Sequence, residues 1–119
     1  MGRHKKVPLE KDFQRVFLKK IRAIPKSWFV KVNDSATCGI PDIIGCVGVF
    51  FIAIELKTRS KLSELQLYTL EKINSCGAVS LVVTPENADD VITFLYALSA
   101  KESIIPVRKP ARIPASALR

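Results

Sequence analysis

The sequence predicts an α/β domain in the order α-β-β-β-α-β-α, an αβββαβ core followed by one extra C-terminal helix. Three observations lead to that class. Residues 9–24 carry apolar side chains at helical spacing. An uncharged run from Ile43 to Ile54, broken by Gly45 and Gly48, is rich in strand formers and reads as a buried β-hairpin. Ser63 and Gln66 stand three apart before an apolar-periodic stretch, the spelling of a capping box. At 119 residues, 48% hydrophobic and 25% charged, the chain has the length and composition of one globular domain with a single core.

Residues 1–8 form a basic N-terminal arm ending at Pro8. The first helix runs from Leu9 to Ile24, with Phe13, Phe17, Ile21 and Ile24 in one stripe and Lys11, Arg15, Lys19 and Arg22 opposite. Glu10 falls inside the apolar stripe. A carboxylate there either favours the helix N-terminus, worth about 0.3–1 kcal/mol, or points inward at a site. Pro25 ends the helix, and Trp28 to Val32 reads as a first strand. Asn33 to Cys38 is polar and turn-like.

The hairpin follows, carrying Asp42 at its head and Glu55 and Lys57 at its end. Arg59, Ser60 and Lys61 then make a basic loop. The second helix begins at the Ser63 cap, with Leu62 and Leu67 placed as a hydrophobic staple. Leu65, Leu70, Ile73 and Cys76 supply its expected buried face, and Gly77 its terminator. Ala78 to Thr84 is a short buried strand closed by Pro85, and Asn87 to Ala100 a last helix. The domain therefore spans 9–100, and residues 101–119, with Pro106, Pro110 and Pro114 among basic residues, form an extended tail.

The net charge of +8 is uneven. Residues 1–26 hold nine Lys or Arg against two acids and residues 101–119 five against one, whereas the middle holds five against eight. Basic ends around an acidic centre suit arms that touch a polyanion and a centre that gathers cations, although basic tails also serve solubility. Cys38, Cys46 and Cys76 are odd in number and widely spaced, which argues against a disulfide framework or a zinc ribbon and for a reducing, cytoplasmic setting. The one histidine, His4, assembles no triad. Twelve apolar or glycine residues from Ile43 to Ile54 are too few to span a bilayer, and no apolar stretch follows the basic opening.

Hairpin parity decides whether the charges meet. Glu55 and Lys57 share a face because strand side chains alternate. A two-residue turn at Val47-Gly48 puts Asp42 opposite Ala53, so that Asp42 and Glu55 become diagonal neighbours roughly 7–8 Å apart. Two such carboxylates can share one hard cation through oxygens at about 2.1 Å. A three-residue turn would send Asp42 to the other face. Gln66 has two readings: partner of Ser63 in the cap, or a site residue facing the acids. The two do not exclude each other.

Asp42 followed by Glu55-Leu56-Lys57 resembles the signature of the PD-(D/E)xK nuclease superfamily, and Gly39-Ile40-Pro41-Asp42 with the later Gln66 resembles its VRR-NUC branch, in the short stand-alone form of bacteria and phages. The resemblance covers roughly Leu9 to Leu98. It implies a restriction-endonuclease-like fold and a Mg2+- or Mn2+-dependent endonuclease acting on DNA. Asp42, Glu55 and the Leu56 carbonyl would then be metal ligands, with Glu10 completing the shell through water or a second ion. Lys57 would orient the attacking water and stabilise charge on the phosphate, and Gln66 would orient water or phosphate. Arg59 and Lys61 beside the site, with Lys31 on the first strand, are the candidate DNA contacts. Short proteins of this kind resemble Holliday-junction-resolving enzymes that work as homodimers. The alternatives are a non-catalytic nucleic-acid-binding module on the same fold, or a flap- or nick-directed repair nuclease.

Overall fold

The hairpin run is the spine of a four-stranded mixed sheet in the computed structural model, which describes residues 10–32 and 39–101. The elements are α1 (Glu10–Arg22), β1 (Ser27–Lys31), β2 (Ile43–Val47), β3 (Phe50–Leu56), α2 (Glu64–Ser75), β4 (Val79–Val83) and α3 (Ala88–Ser99). This is the αβββαβ order with the extra C-terminal helix. The strand order is β1-β2-β3-β4, the first three antiparallel and β4 parallel to β3. The crossover that parallel pairing requires is α2. The N-terminal arm and the tail from residue 102 lie outside the described residues, as does the turn-like stretch 33–38.

The two faces of the sheet have different company. Ile43, Val47, Ile52, Ile54 and Leu56 pack with Phe13, Phe17 and Ile21 of α1 and with Leu95 and Leu98 of α3 to make the core. Gly45 sits in that layer because Phe29 and the Trp28 carbonyl of β1 already fill the space a Cβ would need. The opposite face is covered at one side by α2, which packs on β4 and accepts a 2.7 Å hydrogen bond at the Leu70 carbonyl from the Ser80 hydroxyl. Over β1 and β2 no described helix covers that second face.

Two expectations change. The hairpin connection has two residues, but they are Gly48 and Val49 rather than Val47 and Gly48: Val47 pairs with Phe50 and Ile43 with Ile54. Glycine with φ 57° at the first central position is the type II′ pattern that suits a twisted hairpin, and it places the turn one residue later. Parity is unchanged, so Asp42 keeps its face and, with the register carried on by one pair, stands directly opposite Glu55. The buried face of α2 is also narrower than its periodicity suggests. Leu70 is buried and Ile73 half-buried, but Leu65 and Cys76 are exposed, because α2 lies over the β4 edge and has only that edge to cover.

Candidate active site

The acids meet where β2 begins and β3 ends. Asp42 is fixed twice. Its carbonyl accepts from the Val32 N–H at 2.8 Å, tying it to the end of β1. Its Oδ2 accepts from the Leu56 N–H at 2.8 Å, spanning the hairpin. A strand residue projects its N–H and C=O to the same side, so the Leu56 carbonyl also lies on the Asp42 side of β3. The next residue turns to the other neighbour, the Lys57 N–H donating to the Val83 carbonyl at 2.9 Å. β3 is thus pinned on both sides through the tripeptide Glu55-Leu56-Lys57.

Glu55 is 3% exposed. Its Oε1 accepts from Gln66 Nε2 at 3.3 Å, while Oε2 is buried with no hydrogen-bond partner among the described residues. Its pKa is pushed up from 4.5 to about 8, chiefly by burial and next by a hydrogen bond to Asp42 that only the protonated acid can donate. The Asp42 charge adds to the rise, Lys57 opposes it, and Glu10 contributes a smaller upward push.

Gln66 closes the cap and reaches Glu55 with the same side chain. Its backbone N–H donates to Ser63 Oγ at 3.1 Å and its side-chain Oε1 accepts from the Ser63 N–H at 2.9 Å, completing the capping box. With Oε1 so engaged, the NH2 end is the one that faces Glu55. Ser63 was visible in the sequence as a cap, yet nothing there marked it as the residue that aims the amide of Gln66.

Asp42, Glu55, Lys57 and Gln66 are brought together. Glu10 begins α1, is exposed, and is near enough for its charge to act on Glu55. Among the described residues no three His, Cys, Asp or Glu side chains form a group able to hold a metal ion. Arg59 and Lys61 are exposed in the loop that leaves Lys57. Lys31 pairs with Ile43, a core-face residue, and so emerges on the opposite face from Asp42.

The donor set fits a hard cation. Two carboxylates and a carbonyl supply only oxygen, and the unpartnered Glu55 Oε2 is an acceptor that burial leaves wanting a partner. Magnesium in particular keeps several waters and takes one or two carboxylates from a protein. A hollow of about 280 Å³ lies between α1 and α3, walled by Phe13, Phe17, Pro85 and Ile92 among others, and includes none of these acids. Chemistry, and not concavity, marks the site.

No family model matches the chain, and no curated protein matches it. Among solved structures it is similar to Hjc, a Holliday junction resolvase from the archaeal hyperthermophile Archaeoglobus fulgidus, at 24% identity and a TM-score of 0.41. The match covers 64% of this chain and 65% of that one, just under two thirds of its length. At that level the likeness decides nothing about activity, which rests on the residues of this chain.

Proposed function

We propose that this protein is a metal-dependent endonuclease that hydrolyses phosphodiester bonds in branched DNA, of the Holliday-junction-resolving type. The observation that carries the proposal is the paired Asp42 and buried Glu55, whose Oε2 has no partner. Asp42, Glu55 and the Leu56 carbonyl would hold Mg2+ or Mn2+. Bound there, such an ion lowers the pKa of a water, screens the phosphate and meets the leaving charge.

The protein's own groups divide the remaining work. Asp42, locked to the Leu56 N–H, fixes where the two acids stand. Gln66 holds Oε1 of Glu55, which leaves Oε2 for the ion. Glu55 must give up its proton before it can ligate, and the ammonium of Lys57 favours that loss. Lys57 is then placed to orient the attacking water and to stabilise negative charge gathering on the phosphate. Arg59 and Lys61 extend the positive surface for the DNA backbone. Symmetric cuts on two strands call for two such sites, hence a homodimer with closed twofold symmetry.

The test is cleavage of labelled four-way junction, flap and plain duplex by purified protein with Mg2+ or Mn2+. Asp42→Ala, Glu55→Ala and Lys57→Ala are each expected to abolish cleavage while junction binding stays within about threefold. Full activity in any one folded variant removes that residue from the mechanism.

A further inference from the structure

The face of the sheet that carries Asp42 and Glu55 does not end at the acids. Four residues further along, about 13 Å at strand rise, the same face presents Trp28 on β1, Cys46 on β2 and Phe51 on β3 as one cross-strand row. Trp28 is 59% exposed and Phe51 44% exposed. Val49 in the adjoining turn is exposed too. No described helix covers this end, because α2 lies over β4. Trp28 and Phe51 stand two strand spacings apart, about 10 Å, with the small Cys46 between them. They do not stack on each other: Phe13 and Phe17 form the only aromatic pair among the described residues.

Large flat apolar groups set in one row on an uncovered face offer a surface for an apolar ligand, and the surrounding charges say of what kind. Lys26 lies beside the hairpin turn, its carbonyl accepting from the Gly48 N–H at 2.8 Å. Arg22 reaches the outer edge of β1, donating from Nε to the Phe29 carbonyl at 3.2 Å. Lys26 and Arg22 are both exposed. An apolar surface bordered by cations repels a second copy of itself and suits a ligand with flat apolar plates on an anionic backbone. Nucleobases of single-stranded DNA are such plates. Aromatic side chains in a basic groove bind them with little regard to sequence.

We propose that the open face of β1–β3 around Trp28 and Phe51 is a stacking surface for unpaired nucleobases of DNA. It rests on the function proposed above only in taking DNA as the ligand. Its place along the sheet would hold unstacked bases a few nucleotides from the phosphate that meets Asp42 and Glu55. That arrangement favours substrates in which pairing is already broken, as at a branch point.

Trp28 is the chain's one tryptophan, so its emission reports on this surface directly. The full chain, kept metal-free with a chelator, is titrated with a single-stranded oligonucleotide, a blunt duplex and a four-way junction. Fluorescence and the anisotropy of labelled DNA are read together, beside a protein dilution series without DNA. Single strands and junction are expected to quench Trp28 more than duplex does. Trp28→Ala and Phe51→Ala should each weaken single-strand binding roughly 5- to 150-fold and leave duplex binding within about twofold, with Trp28→Phe restoring most of the loss.

Binding by anisotropy with unchanged Trp28 emission overturns the proposal, as does absence of binding to any of the three DNAs. An emission shift that follows protein concentration alone also overturns it, by showing a second copy seated on the face. The two readings fail separately. A protein that quenches on single strands but never cuts keeps the stacking surface and loses the nuclease, and one that cuts with silent Trp28 does the reverse.

Discussion

Glu55 shows how a single carboxyl is made available at a cost to the fold. In the unfolded chain it titrates near 4.5, in the folded protein near 8. Between those values the folded state holds one proton more than the unfolded state, so stability from this group is complete below about pH 4.5 and is lost as pH rises through 8. The loss is at most about 1.4 kcal/mol per pH unit within that window. Metal-free protein should therefore melt at progressively lower temperature from pH 5 to pH 8.5. Glu55→Gln, which keeps the shape and cannot ionise, should flatten that dependence and melt above the unaltered protein at pH 8.5. Parallel melting curves for the two proteins across this range would show that Glu55 ionises as freely folded as unfolded.

At the scale of elements, the start of α2 joins a helix cap to the chemistry. Glutamate serves a capping box as well as glutamine does, but it has no N–H to offer Glu55. Gln66→Glu should therefore keep the helix start, with melting within a few degrees of the unaltered protein. Gln66→Ala should lose the cap contact, at a cost of roughly 0.5–2 kcal/mol. Both should cleave far more slowly. Unchanged cleavage by Gln66→Glu would reduce Gln66 to a cap. The cap, the hairpin and the α1 stripe were legible in the sequence because each is written in local chemistry: Ser63 before Gln66, glycine at the turn, and Phe13, Phe17 and Ile21 at helical spacing. The register was not, since Val47-Gly48 and Gly48-Val49 are both plausible turns and only pairing across strands chooses between them. Nor was the exposure of Leu65, which depends on how much of the sheet α2 covers, or the face of Lys31, which follows from that same pairing.

At the scale of the molecule, no described helix is long and apolar enough to cross a membrane, and the surfaces left open differ in character. On α2, Leu67 is 46% exposed and Tyr68 56% exposed, beside charges of both signs, Glu64, Glu71 and Lys72. Mixed charge can be matched by a twofold copy of itself. If the dimer forms there, light scattering at micromolar concentration should give twice the 13.2 kDa chain mass, and Tyr68→Asp should return it to a monomer with the fold intact. A monomer mass for the unaltered protein, with and without junction DNA, removes the dimer. Among the described residues the sheet ends at β1, which pairs there with β2 alone. A strand with one free side is a template on which foreign chains can lengthen a sheet without limit. Here the Phe29 carbonyl is already taken by Arg22, and the strand is bracketed by Lys26, at a left-handed φ of 57°, and Lys31. An incoming strand would find an acceptor occupied and a lysine at either end, so Lys26 and Arg22, which border the aromatic face, guard the protein together with Lys31 against fibril growth.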